Sequence, residues 1–120
     1  MSATTVTNYL ATWNAVDAAV RDDLLAQHWT ASAGYTDPLC TASGREAIST
    51  TIAGVHGQFP GFVFTLVGEP DAHHSQTRFQ WGLGPEGAEP LVVGFDVVVE
   101  DADGRIATVL GFLDKVPAAA

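Results

Sequence analysis

The sequence predicts an α+β domain, with helices first and then a curved antiparallel sheet on which they pack. Two observations carry the prediction. In the first half of the chain, apolar residues recur every three or four positions, the period of a helix with one buried face. From Phe62 onward the period falls to two, and tight turns such as Asp103-Gly104 suit antiparallel neighbours.

Val6, Tyr9, Leu10, Trp13, Val16 and Val20 form one apolar stripe and predict the first helix. A second, short helix carries Leu24, Leu25, His28 and Trp29. The period is lost over 31–37, and Asp37-Pro38 closes the segment because proline disfavours helix in the residue before it. Ser43-Gly44-Arg45-Glu46 has the form of a capping box, in which serine caps the third amide and glutamate reaches back. Ala47, Ile48, Thr51, Ile52, Val55 and Phe59 predict the third helix, and Pro60-Gly61 stops it. Strands are predicted over 62–68, 73–83, 91–100 and 105–113, with a loop rich in glycine and proline over 84–90. The Pro-Ala-Ala-Ala end, 117–120, reads as a frayed tail on a single domain spanning 1–120.

A chain of 120 residues suits one domain and can build one core without staples. Its one cysteine, Cys40, excludes an internal disulfide. Fourteen acidic residues against five basic ones give a net charge of −9, which argues against nucleic acid and anionic membranes as partners. No apolar run approaches the ~20 residues of a membrane span. The N-terminus has no basic region followed by an apolar stretch, so no signal peptide is read and the expected location is the cytoplasm. The expected partner is a small molecule or another protein.

Alternation sorts the strands into faces. Leu91, Val93, Phe95, Val97 and Val99 share one face, and Val92, Gly94, Asp96, Val98 and Glu100 share the other. On the last strand, Ile106, Thr108, Leu110 and Phe112 alternate with Ala107, Val109, Gly111 and Leu113. On the strand before the long loop, Phe79, Trp81 and Leu83 alternate with Arg78, Gln80 and Gly82. Centring the loop near Gly87 places Arg78 opposite Asp96 and Phe79 opposite Phe95. A symmetric turn over 101–104 places Asp96 opposite Val109. Two arrangements fit. In one, the helices bury the large apolar face, and Asp96 and Arg78 meet solvent. In the other, the helices cover the Asp96 face and enclose a pocket. The face bearing Phe79, Trp81, Phe95 and Phe112 then meets a second copy, because a monomer rarely exposes so large a patch. Gly94, Ala107 and Gly111 favour the second, since small residues leave room for a ligand.

Trp13-Asn14, Tyr35-Thr36-Asp37-Pro38, the Gly44 helix start and Phe59-Pro60-Gly61 fit one pattern. So do His73-His74, Arg78-Phe79-Gln80-Trp81, Gly94-Phe95-Asp96-Val97, and the run from Asp103-Gly104-Arg105-Ile106 to Gly111-Phe112-Leu113-Asp114. Together they resemble the SnoaL-like polyketide-cyclase branch of the nuclear transport factor 2-like superfamily, over nearly the whole chain. The resemblance implies a cone-shaped fold of three helices and a curved sheet around a pocket, and a dimer through the outer sheet face. Function does not follow from that fold, which hosts isomerases, cyclases, hydrolases and non-catalytic modules.

Within that superfamily the ketosteroid isomerases offer the nearest mechanistic comparison. Their base aspartate stands in an Asp-Pro dipeptide before the third helix, which Asp37 matches. Their second, protonated aspartate stands eight residues before the glycine of a Gly-Arg-Ile turn, and Asp96 stands eight before Gly104. Their first-helix tyrosine falls at Trp13, an indole donor instead of a phenol, and another pocket tyrosine falls near Ile52. Two carboxylates match and two phenols do not. The limonene epoxide hydrolases use an Arg-x-Asp strand motif and a last-strand aspartate; here those positions hold Arg78-Phe79-Gln80 and Gly111, so that route lacks both acids.

These comparisons and the residues' own chemistry nominate Asp37, Asp96 and Arg78 as catalytic. Asp37 is either a turn former before proline or a general base. Asp96, among valine, glycine and phenylalanine, must be exposed, paired or protonated. Protonated, it donates to a developing enolate; paired with Arg78, it stays ionised and leaves Arg78 to stabilise the oxyanion. Pocket-lining candidates are Trp13, Tyr35, His28, Ile52, His56, His74, Gln80, Val98 and Val109. Ligand spacing gives no zinc site, because His73 and His74 adjoin while His28 and His56 lie on separate helices. No metal or cofactor is expected. Two functions follow. The first is an acid–base enzyme that enolises a small, mostly apolar carbonyl compound, which then isomerises, cyclises or loses a group. The second is a binding or dimerisation module with a vestigial pocket.

Overall fold

Helix α1 (Ser2–Asn14) stops short of its predicted stripe in the computed structural model, which describes residues 2–117. Val16 is 72% exposed and Val20 is exposed beyond the break, so the buried stripe ends at Trp13. Asp17 caps α2 (Ala18–His28) by accepting from the Ala19 amide at 3.2 Å. The corner is held by the buried Arg21, whose Nη1 donates to the Ala15 carbonyl at 2.8 Å and whose Nε donates to Ser49 Oγ at 2.9 Å.

Trp29 opens strand β1 (Trp29–Thr36) instead of closing α2, so the segment without helical period is a strand. It turns at Asp37-Pro38 into the short β2 (Thr41–Ser43), its antiparallel partner. The capping box does not form. Ser43 is held in the ladder opposite Gly34, and Gly44, at φ 87°, is the N-cap of α3 (Arg45–Gln58) with no side-chain cap bond. The Gly44 amide donates to the Ala33 carbonyl at 2.8 Å instead.

Strands β3 (Phe62–His73), β4 (Gln76–Pro85), β5 (Val92–Glu100) and β6 (Ile106–Lys115) follow, and the six strands lie in the order β2-β1-β6-β5-β4-β3. The sheet is mixed: β1 runs parallel to β6, and the other neighbours are antiparallel. Gly68, at φ 71°, lies where the β3–β4 register slips between Val67 and Asp71, a bulge that bends the sheet. Helices on the concave side and an open outer side give the cone expected of the fold. Of the tail at 117–120, residues 118–120 lie outside the described residues.

The register differs from expectation by one residue, and this changes the faces. Phe79 pairs with Asp96, Arg78 with Val97 and Gln80 with Phe95. Leu83 pairs with Val92, so the loop is centred between Gly87 and Ala88 rather than on Gly87. Residues opposite one another share a face, and a one-residue slip therefore moves a whole side-chain set across the sheet. Phe79, Trp81 and Leu83 point inward with Asp96, while Arg78 and Gln80 point outward with Phe95. On β6 a register shift at Val99/Glu100 brings Gly111, not Val109, opposite Asp96, and sends Ile106 inward.

The core forms where α1 meets the inner face. Tyr9 stacks on Trp29 at 5.6 Å and meets the edge of Phe79 at 5.3 Å. The Trp81 ring lies across Gly94, where a β-carbon would sit 2.0 Å from Trp81 Cζ2. Gly94→Ala should therefore cost about 1–3 kcal/mol of stability, by forcing Trp81 off its rotamer or the strands apart. Denaturant unfolding of the two proteins checks this, and equal midpoints would show that the ring is free to move aside.

Candidate active site

A cavity of about 150 Å³ opens between α1, the end of α3 and the inner sheet face. Its walls are aromatic and aliphatic, including Trp13, Tyr35, Phe64, Trp81, Leu83 and Val92. Exposed Leu39 and Val116 stand among the lining residues. Tyr9, Tyr35, Asp37 and Gln58 add polar atoms.

Each wall is tied to its neighbours. Tyr9 and Trp13 sit one turn apart on α1 and so share its buried face. Asn14 bonds both ways with the Phe64 backbone: its Nδ2 donates to the carbonyl at 2.9 Å, and its Oδ1 accepts from the amide at 2.7 Å. His56 Nε2 lies 2.7 Å from the Trp13 carbonyl, joining α3 to the end of α1. Trp13 packs against Tyr35 and Phe64 with centroids 5.4 and 5.3 Å away.

Two acidic side chains converge beside Gly111, Asp37 lining the cavity and Asp96 buried behind Tyr9. Asp37 follows β1, and its Oδ1 accepts from the Leu39 and Cys40 amides at 2.8 and 3.0 Å. Its Oδ2 accepts from the Tyr35 hydroxyl at 2.6 Å. Asp96, only 1% exposed, accepts the Tyr9 hydroxyl on Oδ2 at 2.5 Å. Gly111 lies between the two acids: a β-carbon there would stand 2.9 Å from Asp96 Oδ1 and 3.3 Å from Asp37 Cβ. The glycine is what lets both side chains approach one spot.

Burial pushes the Asp96 carboxyl up to about 6; the Tyr9 hydroxyl and the Trp81 indole oppose the rise, and the charge of Asp37 adds to it. Burial and then the charge of Asp96 hold the Tyr9 phenol well above its ordinary range. Burial and the bond to Asp37 do the same for Tyr35. The Cys40 thiol is raised by burial and by Asp37, which leaves it a poor nucleophile. The Trp13 and Trp81 indole N–H groups are buried without a hydrogen bond of normal geometry, although the Trp81 indole lies near enough to Asp96 to act on its charge.

The structure brings Asp37, Tyr35 and Trp13 to the cavity, with Asp96 behind Tyr9. The other nominated residues lie elsewhere. Arg78 is on the outer face in a solvent-exposed pair with Asp71 at 3.3 Å, so it neither neutralises Asp96 nor reaches the cavity. Gln80, also outward, donates to Asp114 at 2.9 Å. Ile52, Val98 and Val109 are fully packed in the core. His74 occupies the β3–β4 turn at φ 54°, His28 ends α2, and His56 stands behind Trp13. Among the described residues no group of three His, Cys, Asp or Glu could hold a metal ion, and no helix is long and apolar enough to cross a membrane.

Sequence reasoning missed Tyr9, Phe64 and Trp81. The phenol assigned by resemblance to position 13 is supplied one turn earlier, by Tyr9; its four-residue spacing from Trp13 was the available signal. Trp81 was lost to the register slip.

The Asp96 shift has a stability consequence. Its folded value lies above the unfolded one, so the fold prefers the protonated acid. No penalty acts below about pH 4; a penalty grows as pH rises to about 6 and is constant above. Replacing Asp96 by Asn should remove that slope. The stability difference, Asp96→Asn minus wild type, should rise by about 2.5 kcal/mol between pH 4 and pH 7.5. Urea unfolding across that range measures it, and a flat difference would mean that Asp96 is solvated in the folded state.

No sequence-family model and no curated protein matches the chain. Solved structures do. A proposed isomerase of the SnoaL-like family from Agrobacterium tumefaciens strain C58 is 39% identical, with TM-score 0.89, over 94% of this chain and 97% of that one. A proposed polyketide cyclase from Sinorhizobium meliloti is 15% identical, with TM-score 0.70, over 92% of this chain and 94% of that one. A protein of ketosteroid isomerase-like fold from Catenulispora acidiphila, solved with trimethylamine, is 17% identical, with TM-score 0.72, over 97% of this chain and 88% of that one. The latter two share the fold alone. With the Agrobacterium protein the likeness runs through sequence as well as fold and along nearly the full length of both, and the chain belongs to the SnoaL-like family.

Proposed function

We propose that the chain is a cofactor-free acid–base enzyme acting on a small, mostly apolar carbonyl compound through an enolate, as an isomerase, cyclase or lyase. The observation that carries this is a carboxylate, Asp37, lining an otherwise apolar cavity beside Tyr9, whose hydroxyl is backed by the buried Asp96 across Gly111. Kinship with a proposed isomerase supports the general kind of chemistry.

In this mechanism Asp37 takes the proton from the carbon next to the carbonyl; the C–H electron pair becomes the new C=C bond and the carbonyl π pair moves onto the oxygen. The enolate oxygen accepts from the Tyr9 hydroxyl once that proton leaves Asp96 Oδ2, which a protonated Asp96 allows by donating to the phenol oxygen in turn; the suppressed acidity of Tyr9 keeps the phenol protonated. Asp37 then returns the proton to another carbon, or the enolate closes a ring or expels a group. Arg78, on the opposite face, takes no part.

We propose further that a second copy covers the outer sheet face. Phe79 and Trp81 point inward, so the patch consists of Phe95, Val97, Leu110 and Phe112, the last 58% exposed. Phe112→Asp should convert a dimer to a monomer by sedimentation equilibrium; a wild-type monomer at micromolar concentration sinks this part.

The catalytic proposal is tested by Asp37→Asn. Proton–deuterium exchange next to the carbonyl of a panel of small ketones and enones in D₂O, followed by NMR, should fall at least about a hundredfold. Undiminished exchange in a variant with normal thermal unfolding would give the base role to another residue.

A further inference from the structure

The charge of the cavity is unbalanced. None of its lining residues, as described, is lysine, arginine or histidine, yet one wall carries Asp37 and Asp96 stands behind Tyr9. Arg78, the cation that sequence pattern offered for Asp96, is on the far side of the sheet. The carboxylates are met by phenols and, for Asp37, by two backbone amides, which donate hydrogen bonds but carry no compensating charge.

The remaining walls are aromatic and inclined to one another. Trp13 meets Tyr35 at 46° and Phe64 at 58°, and Phe64 meets Trp81 at 63°, with centroids 5.3–5.4 Å apart. The rings pack tilted and edge-to-face against one another, and all four line the cavity. Ring faces attract cations, and an acid nearby adds to the attraction.

We propose that this cavity binds small organic cations of the alkylated ammonium type, with Trp13, Tyr35, Phe64 and Trp81 as its walls and Asp37 as counter-charge. The alternatives fit less well. An anion meets two carboxylates. A neutral apolar guest satisfies the rings and leaves the acids as they are. A primary ammonium brings three N–H donors to walls that offer few acceptors, and so is poorly repaid for its lost hydration. An alkylated ammonium turns methyl groups to the rings and sheds little bound water. Size agrees, because a cavity of about 150 Å³ takes a benzene-sized guest. The net charge of −9 raises the local concentration of cations around the protein. The proposal does not require Asp37 to remove a proton.

The test compares choline with its carbon isostere 3,3-dimethylbutan-1-ol, which has the same shape without the charge. Titration at low ionic strength is followed by tryptophan fluorescence and by NMR of the indole N–H signals. Choline should bind at least about tenfold tighter than the isostere. Trp81→Leu should weaken choline more than the isostere, and Asp37→Asn should bring the ratio close to one. The wild-type comparison needs no variant, so a variant that fails to fold leaves the test intact. Equal or tighter binding of the isostere, or no binding of either, overturns the proposal. If the isostere wins while Asp37→Asn still abolishes deuterium exchange, the cation preference fails and the acid–base function stands; the reverse pattern sinks only the latter.

Discussion

Burial of the Asp96 carboxyl is the constraint on which the rest of this site depends. A carboxylate taken from water needs a donor, a proton or a counter-charge. Here the donor comes from Tyr9, 87 residues earlier in the chain. For the phenol to reach β5, α1 must pack on the inner face over β3 and β4, with Tyr9 between Trp29 and Phe79. The same placement sets Trp13 one turn on, against Tyr35 and Phe64, and so builds the cavity wall. Around the acid the sheet is thinned by glycine. Gly94 admits the Trp81 ring and Gly111 admits both carboxyl side chains. The strand interior gives up stability at each glycine and gains a concavity in exchange.

The polar residues near the site divide into those that touch the cavity and those that hold its walls. Asn14 and His56 fix the end of α1 to β3 and α3. Arg21 fixes the next corner, where α1 gives way to α2. These bonds add to the Tyr9–Asp96 bond and to the Trp29 indole, which donates to Thr12 Oγ1 at 3.1 Å, because apolar packing sets the depth of α1 well and its rotation poorly. Rotation matters, because Tyr9 and Trp13 must both face the sheet. Hydrogen bonds from three elements to one helix end supply the missing direction.

Much of the fold was legible in the sequence because burial imposes a period. The change from three-and-four to two at Phe62 located the sheet, and the stripe through Val6, Tyr9 and Trp13 located the inner face of α1. What escaped depended on counts of single residues. The 84–91 loop is centred between two residues rather than on one, and this reversed which face bears Trp81 and removed Arg78 from Asp96. Strand β1 escaped because its residues, with Gly34 among them, show only weak apolar alternation and its pairing with β6 is parallel, while its hairpin partner β2 is only three residues long. The capping box failed because Ser43 is committed to a strand ladder, a tertiary demand that local pattern cannot express. Asp37 and Asp96 were nominated by resemblance and by their surroundings. Their meeting over Gly111 could not be, since it needs the register.

The two acids also bear on how a negative site could make an enolate. Proton transfer to Asp37 does not add charge to the cavity. It moves one negative charge from the carboxylate to the substrate oxygen, while Asp37 becomes neutral. The electrostatic cost therefore depends on how each location is stabilised, not on total charge. At the carboxylate, Tyr35 and two amides donate. At the oxygen, Tyr9 can donate only by loosening its bond to Asp96, and that loosening is easiest when Asp96 holds a proton of its own. Burial makes the proton available by raising Asp96 to about 6. A cationic group on the substrate would lower the barrier only by lying closer to the enolate oxygen than to Asp37. Placed so, the imbalance that attracts it would serve binding and chemistry through a single feature of the fold: acids buried with donors but without a cationic side chain beside them.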